Sequence, residues 1–500
     1  MNKVIETFLS RLTYGESENI KKETGSNGVI ESLARVYERA RNALEYRADH
    51  LVRRAAIERI IKRMAVIDKD PNSIAKHLLT ELKWARYLPF VEIDTTLTNS
   101  LKITLEKYLN YLDGQIPQEW VIKIASAKIE ETFNLNTDYN DFSLLAFQVI
   151  KQKVKIDDKN SDLLVYFAVD KVYAGSDDEQ IAYHILKLAG TPITQDKINE
   201  AYQLFNLAKK HKDLSRIIKF VRRQIPPLIL LRDIYFYSPS VFKNVISNKE
   251  IFTKTATEVL ENQLTQMSGR IATASVRSII YVFLTKMVIA IGLEVPFEIF
   301  VYGQLSKIPL AINLVFPPAL MWLTTLQNHL PKESEKEKLV ERTWFTLVDF
   351  DKLGGEGDDL TDTIKEKSSP IYSVFSALYI IIFFAIFGLI YFILGGIGFS
   401  FASKLMFIFF LTIIAFFAYR ISQIAKVYTW KGNAERSSLT DIISLPILAI
   451  GSRLSRGLSK LNFLAFAFDF ILEAPFKIIL GFLDSWVQFI SVKKEEEIIE

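Results

Sequence analysis

The sequence contains no cysteine and only five histidines among its 500 residues. The absence of cysteine excludes disulfides, thiolate nucleophiles, iron–sulfur clusters and cysteine-ligated zinc sites. The histidines, at positions 50, 77, 184, 211 and 329, show no close pairing and no metalloprotease spacing. We also find no phosphate-binding loop, dinucleotide fingerprint or nucleophile elbow. The sequence therefore predicts no cofactor, metal or catalytic residue, and it favours a protein that is not an enzyme.

A strong charge of one sign is lacking as well. The chain has 61 Lys and Arg residues against 57 Asp and Glu, which leaves a formal net charge of +4. The two signs alternate along most of the sequence, so we predict no nucleic-acid partner. The N-terminal segment lacks an apolar stretch of signal-peptide length. We therefore expect the N-terminal part to remain on the cytoplasmic side.

Composition divides the chain near residue 270. Charged residues are concentrated before this point, whereas long uncharged runs rich in phenylalanine follow it. Mean hydropathy is +0.16 although 24% of the residues are charged. This combination predicts an all-α protein, with a helical cytosolic domain followed by a multi-pass α-helical membrane domain.

The N-terminal part has the apolar spacing of successive helices, with turn signals between them. We predict helices at 29–67, 73–87, 95–112, 118–133, 141–154, 161–172, 177–188 and 195–209. Asp68 to Pro71 ends the first of these, since proline cannot continue a helix. A further helix from Ile251 to Ile271 leads directly into the first membrane segment.

Ser278 to Gln327 is predicted to form a transmembrane hairpin. Its arms are apolar over about the length of a bilayer core, yet they contain polar side chains and prolines. The candidate intramembrane polar residues are Lys286, Glu294, Glu298 and Asn313. The candidate helix breaks are Pro296, Pro317 and Pro318. On a regular helix Lys286 and Glu294 lie about 80° apart, so we expect them not to touch directly.

Two interpretations of these polar residues remain open. In one, Lys286, Glu294, Glu298 and Asn313 line a path for an ion or a proton, and the prolines expose backbone carbonyls. In the other, the charges form structural pairs within the protein.

A second hairpin is predicted from 371 to 424. Ser368 to Ser403 contains no charged residue, which is the strongest transmembrane signal in the chain. Basic residues are concentrated between the two hairpins and after the second one. This bias predicts that both termini face the cytoplasm, in the inner membrane of a bacterial cell.

Two basic stretches are candidates for contact with lipid headgroups. The first, from Ser215 to Phe236, is either an interfacial segment or two core helices joined at a proline corner. The candidate interfacial basic residues are Arg216, Lys219, Arg222, Arg223, Arg453, Arg456 and Lys460. Near the C-terminus, four polar residues share one helical face that is predicted to lie along the membrane rather than to span it. These residues are Asp469, Glu473, Lys477 and Asp484.

The predicted organisation has six parts. They are a short helix and linker (1–27), a cytosolic helical domain (28–270), the first hairpin (271–328), a charged cytoplasmic loop (329–370), the second hairpin (371–424), and amphipathic C-terminal helices with a charged tail (425–500).

Three runs carry a resemblance to a known class of protein. They are EYRADHLVRRAAIERIIKRM at 45–64, LTKMVIAIGLEVPFEIF in the first arm and INLVFPPALM in the second. Together they resemble uncharacterised multi-pass bacterial membrane proteins of unknown function. The resemblance implies the same layout of helical domain and membrane hairpins, and it supplies no activity.

The leading functional prediction is a membrane-anchored scaffold whose helical domain binds a cytosolic protein partner. The alternative is a channel or transporter subunit that uses the polar first hairpin in a homo-oligomer, and a membrane-bound enzyme is third. The lipid bilayer is the partner that all three share.

Overall fold

A computed structural model describes residues 3–12, 49–68, 70–85, 87–88, 95–109, 116–133, 138–190, 193–303, 307–326, 331–348, 360–361, 370–425 and 427–429, with residues 447 and 486. Nearly all of these residues are helical, which confirms the all-α prediction. The strands of this part of the chain are two residues long: β1 (Val154–Lys155) pairs in parallel with β2 (Leu360–Thr361).

The α-helices, in chain order, are α1 (Lys3–Arg11), α2 (Asp49–Ile67), α3 (Pro71–Trp84), α4 (Thr95–Leu109), α5 (Gln118–Thr132), α6 (Asp138–Lys153), α7 (Ser161–Val169), α8 (Asp178–Leu188), α9 (Gln195–Lys210), α10 (Leu214–Gln224), α11 (Pro226–Tyr237), α12 (Phe242–Ser247), α13 (Lys249–Ile289), α14 (Val295–Tyr302), α15 (Lys307–Leu326), α16 (Glu333–Val348), α17 (Pro370–Gly396) and α18 (Phe401–Ala425). A 3₁₀ turn covers Pro239–Val241. Two π-helical segments, Asp170–Ala174 and Ala290–Glu294, follow α7 and α13.

The chain divides into two compact units. The helical unit comprises residues 7–151, 158–222 and 462–500, and the hairpin unit comprises 1–6, 152–157 and 223–461. Residues 223–270, assigned from sequence to the cytosolic helical domain, thus belong to the same unit as the hairpins.

The start of α3 shows how local chemistry sets the helix boundaries. Asp70 accepts hydrogen bonds from the backbone N–H groups of Asn72 and Ser73, while Pro71 occupies the first helical turn. A proline there costs nothing because its missing N–H would have no helical partner. The predicted break between Asp68 and Pro71 is confirmed. Of the first predicted helix, 29–67, the structure describes the part from Asp49 onwards.

The helical unit has a conventional apolar core. Ile57 and Ile61 of α2 pack with Leu78 of α3, Leu101 of α4 and Ile129 of α5, and each of these side chains is fully buried. Burying such side chains contributes about 1.5 to 3 kcal/mol each. Apolar residues are therefore inside and most charged residues outside.

In the hairpin unit, α13 is the longest element. Its 41 residues run without interruption from an Asn248 cap to Ile289, a length of about 60 Å at 1.5 Å per residue. It packs against α15, α16 and α18. Gly303 ends α14 with a φ of +70°, a left-handed conformation that suits glycine. Gly398, at φ +87°, forms the turn between α17 and α18. Among the described residues, we find no helix that is both long and apolar enough to cross a membrane.

The prediction that Pro317 and Pro318 break the helix is wrong. Pro317 and Pro318 lie inside α15, which continues to Leu326. A proline does not end a helix when packing on either side fixes the axis, although it removes a backbone hydrogen bond. Pro296 lies in the first turn of α14, directly after the π segment, so the helical path changes type there without ending.

The stretch from Ser215 to Phe236 forms two helices, α10 and α11, that meet at Pro226. The apolar side chains Ile217, Phe220 and Val221 of α10 are buried within the protein. Their burial favours the alternative of two core helices over an interfacial segment. The basic side chains Lys219, Arg222 and Arg223 are exposed, and Arg216 is half-buried.

Candidate functional site

The four polar residues predicted within the first hairpin converge on one buried cluster. Lys286 comes from α13, Glu294 from the π segment, Glu298 from α14 and Asn313 from α15. None is more than 2% exposed to solvent. Glu294 and Glu298 are four residues apart and so lie on one face of the helix.

Lys286 and Glu294 form a direct ion pair, contrary to the prediction that they would not touch. The Lys286 Nζ to Glu294 Oε2 distance is 3.0 Å, and both side chains are fully buried. The physical reason is the π segment from Ala290 to Glu294. Its i→i+5 turns are wider than α turns and rotate by about 80° rather than 100° per residue. Over five residues this removes roughly 100° of rotation and returns Glu294 to the face of Lys286.

The N-terminus of α18 completes the cluster. Ser400 caps this helix by accepting a hydrogen bond from the Ser403 backbone N–H, at 3.2 Å, and its hydroxyl donates to Glu298 Oε1, at 3.0 Å. The Ser403 Oγ lies 2.7 Å from Glu294 Oε1 and 2.9 Å from Glu298 Oε1. The positive end of the α18 dipole therefore faces both carboxyl groups.

Asn313 links the arms through its side-chain amide. Its Nδ2 donates to Glu294 Oε1, at 2.5 Å, and to the Ser403 carbonyl, at 3.3 Å. Both neighbours are acceptors, which fixes the orientation of the amide. No donor among the described residues reaches its Oδ1, although the side chain is fully buried. The Asn313 backbone carbonyl also lacks its usual helical donor, because residue 317 is a proline without an N–H.

Aromatic packing isolates this cluster. The Lys286 ammonium lies 4.8 Å from the centre of the Phe410 ring, in a cation–π geometry. Phe407 packs against both Phe316 and Phe399 beside it. Such surroundings strengthen the electrostatic interactions among the polar groups.

The chemistry available to the cluster is narrow. Carboxyl, hydroxyl and ammonium groups can exchange protons, and they can tie helices together. No group of three or more His, Cys, Asp or Glu side chains suited to a metal ion occurs in the described part of the chain. The Ser403 hydroxyl contacts carboxyl groups rather than an imidazole, so the cluster does not have the serine–histidine arrangement of a hydrolase.

Comparison with known proteins gives no match: no protein family, curated protein or solved structure matches the chain significantly. The similarity to uncharacterised bacterial membrane proteins therefore remains a prediction.

Other predicted residues lie elsewhere. The basic residues of α10 are on the surface and do not join the cluster. The remaining predicted interfacial and C-terminal residues fall outside the described residues: Arg453, Arg456, Lys460, Asp469, Glu473, Lys477 and Asp484.

The helical unit contains a second polar site that the sequence analysis missed. Asp170 accepts hydrogen bonds from Ser176 Oγ and His184 Nδ1, each at 2.7 Å. The π segment from Asp170 to Ala174 ends at Gly175, with a φ of +68°, and this turn brings Ser176 back to Asp170. Burial lowers the pKa of His184, but the charge and hydrogen bond of Asp170 outweigh it and raise the pKa overall. The serine contacts the carboxylate rather than the imidazole, so the group is not a nucleophilic triad.

Arg54 forms a third buried network, also within the helical unit. Its guanidinium donates to Glu58 Oε2, at 2.8 Å, and to Ser126 Oγ, at 3.1 Å, and contacts Asp177 Oδ2 at 2.5 Å. Asp177 is in turn the N-cap of α8, in a capping box with Gln180. Arg54 therefore ties α2 to α5 and to the start of α8. Its role is structural, since its contacts are with groups that already hold these helices.

Proposed function

We propose that this chain is an integral membrane protein that anchors its helical unit to the cytoplasmic face of a bacterial inner membrane as a scaffold for a cytosolic protein partner. The observation that supports it most is a reversed polarity in the hairpin unit. Lys286 and Asn313 are fully buried there, whereas Phe300 is 89% and Phe392 is 79% exposed. A protein surrounded by water places these residue types the other way round.

The exposed apolar residues form surfaces rather than isolated positions. On α17 they include Ile381, Phe384, Leu389 and Phe392, and on α14 they include Ile299 and Phe300. In water, exposing such surfaces would cost about 25 cal/mol per Å² of apolar area. Against acyl chains they would be satisfied, and the polar cluster would be sheltered in the protein interior, where ionisable groups of membrane helices are found.

The full sequence supports the same placement. From Ser368 to Ser403 it contains no charged residue, a stretch that includes side chains outside the described set. The turns at Gly303 and Gly398 would then lie on the outer side and the basic loop between the hairpins on the cytoplasmic side. The scaffold role follows from the helical unit, whose buried charges are engaged in holding helices together.

Single-cysteine labelling tests the proposal, because the chain has no cysteine of its own. The exposed residues Tyr302 and Ile397 suit outer labelling better than the neighbouring glycines, whose positive φ a cysteine would strain. We expect Tyr302→Cys and Ile397→Cys to react with an impermeant maleimide on intact spheroplasts. Ile103→Cys, in the helical unit, and Lys338→Cys, in α16, should react only after lysis. Reaction of Ile103→Cys in intact spheroplasts would refute the proposal. Recovery of the protein in the supernatant after the membranes are pelleted by ultracentrifugation would also refute it.

A transport path through the first hairpin is the second candidate. It is favoured by one observation, the fully buried Asn313 Oδ1 that has no donor among the described residues. Proton flux in reconstituted vesicles tests this candidate.

A further inference from the structure

We propose that the buried cluster conducts protons along a hydrogen-bonded chain from Ser400, through Glu298, Ser403 and Glu294, to Lys286. This inference rests on the membrane placement proposed above and adds an activity to it. The transported species is the proton itself.

The hydrogen-bonded chain from Ser400 to Lys286 is continuous. The successive distances are 3.0 Å from Ser400 Oγ to Glu298 Oε1, 2.9 Å to Ser403 Oγ, 2.7 Å to Glu294 Oε1, and 3.0 Å from Glu294 Oε2 to Lys286 Nζ. Each is within hydrogen-bond range. Ser400 is half-buried at the α17–α18 turn, whereas Lys286 is fully buried. The chain thus begins near the surface and ends in the interior.

Ser403 is the relay because its hydroxyl has one proton and two carboxyl neighbours. It donates to Glu294 or to Glu298, but not to both at once. When Glu298 takes a proton from water at the Ser400 end, it can pass that proton to Ser403 Oγ while Ser403 passes its own to Glu294 Oε1. One O–H bond breaks at Glu298 and one forms at Glu294, and the serine is regenerated. The new proton removes the negative charge that faces Lys286 and so loosens the ion pair. The Lys286 ammonium then releases one proton to water on the Ser278 side and takes the proton from Glu294, so one N–H bond breaks, one forms, and the ion pair is restored.

Asn313 gives independent evidence that the cluster takes a small hydrogen-bond donor. Its Oδ1 is fully buried and accepts no hydrogen bond from the described residues, while its Nδ2 is already committed to Glu294. Buried polar atoms are nearly always satisfied, and an ordered water with two to four polar partners is the usual solution. A water at this oxygen would also be a proton carrier beside Glu294.

Among the described residues, few charged groups face the hydrogen-bonded chain. Lys286 faces it from α13, Glu294 from the π segment and Glu298 from α14, while α15 contributes the neutral Asn313. Lys404, next to Ser403, lies instead 4.2 Å from the centre of the Tyr391 ring on α17. Beyond Lys286, α13 carries two more buried hydroxyl groups, Ser278 and Ser275. About 12 Å of helix separates Ser278 from Lys286, a gap that water must fill during conduction.

The test is proton flux in vesicles reconstituted with the full chain and loaded with a pH-sensitive dye, with a potassium diffusion potential as the driving force. We expect the wild-type protein to acidify the vesicles faster than empty vesicles. Ser403→Ala should reduce this flux by about a hundredfold, since it removes a positioned proton carrier. Ser403→Thr, which retains a hydroxyl, should restore it. The matched control is Thr412→Val, because Thr412 is a buried hydroxyl of the same helix that donates only to the Phe409 carbonyl.

Flotation of the same vesicles separates the two proposals. If the protein does not float with the lipid, the membrane placement is wrong and the proton path falls with it. If it floats but the flux equals that of empty vesicles, or Ser403→Ala conducts like the wild type, the proton path alone is refuted. Glu298→Gln, which keeps the size of the side chain but cannot release a proton, should fail to conduct even if Ser403→Ala is poorly folded.

Discussion

The ion pair between Lys286 and Glu294 leads to the sharpest stability prediction. Lys286→Met replaces the lysine with an unbranched apolar side chain of similar length. It leaves Glu294, which is only 1% exposed, without its cation. Removing one partner of a buried pair costs about 3 to 5 kcal/mol. Asn313 and Ser403 still donate to Glu294 in the variant, so we expect the lower end of that range.

Replacing both partners distinguishes this cause from simple loss of packing. In Lys286→Met with Glu294→Gln both members of the ion pair are neutral, and the glutamine carbonyl can still accept from Asn313 and Ser403. We expect the double variant to return to within about 1 kcal/mol of the wild type, because a buried pair can often be replaced by neutral groups at little cost. The coupling energy should therefore be about 2 kcal/mol or more.

The assay is reversible unfolding in mixed detergent micelles, followed by circular dichroism, for the wild type, both single variants and the double variant. Lys404→Met is the matched control, since its ammonium contacts only an aromatic face among the described residues and should contribute about 1 kcal/mol at most. A loss below about 0.5 kcal/mol for Lys286→Met, or strictly additive effects in the double variant, would show that the pair is not formed.

Four further predictions concern other parts of the chain. Arg54→Met should lower the free energy of unfolding of the helical unit by about 3 to 5 kcal/mol, because it removes the buried cation shared by Glu58 and Asp177; thermal unfolding measures this, and the control Lys102→Met, which removes a half-exposed pair with Glu106, should cost less than about 1 kcal/mol. Burial raises the pKa of Glu58, but Lys62 and Arg54 outweigh it and hold the pKa at about 2, below the usual 4.5. The contribution of Glu58 to the free energy of unfolding, at most about 3 kcal/mol, is thus complete above pH 4.5 and is lost as the pH falls towards 2. Glu58→Gln should therefore flatten the acid limb of the stability curve. The raised pKa of His184 changes stability in the opposite direction. Its contribution to the free energy of unfolding is complete below pH 6.5 and is lost as the pH rises through the folded pKa, and an unchanged alkaline limb of the stability curve in His184→Gln would contradict this. Gly398→Ala should lower the free energy of unfolding by about 1 to 2 kcal/mol because of the positive φ; no steric clash adds to this, since the space around a new Cβ is open. Equal unfolding midpoints for the variant and the wild type would argue against that turn.

Much of the fold was accessible from the sequence because it depends on local signals. Helix periodicity and capping residues such as Asp70 and Asp177 fix where helices begin, and the structure places most boundaries within a turn of those predicted. The choice between an interfacial segment and a proline corner at 215–236 was not accessible. Both have the same apolar pattern, and only the packing of Ile217 and Phe220 decides between them.

The polar residues of the candidate site could be chosen from the sequence because a lysine within an apolar run is costly. Their geometry could not. The contact between Lys286 and Glu294 depends on a π segment, and its residues, Ala290 to Glu294, have no distinctive composition. Ser400 and Ser403 were missed because an isolated serine near a helix start is first of all a capping residue. The contact between Asp170 and Ser176 depends likewise on a π segment.

The π segment at Ala290–Glu294 gives the hairpin unit a property that concerns length rather than composition. The match between Lys286 and the two glutamates depends on the number of residues that separate them together with the width of the turn. Deleting any one residue between positions 287 and 293 would leave every side chain of the cluster present and would convert the wide turn into a regular one. The direction of Glu294 and Glu298 would be kept, because the rotation that the wide turn removes equals the roughly 100° of one residue on a regular helix. A homologous chain can therefore be one residue shorter in this segment and still direct both carboxyl groups towards Lys286.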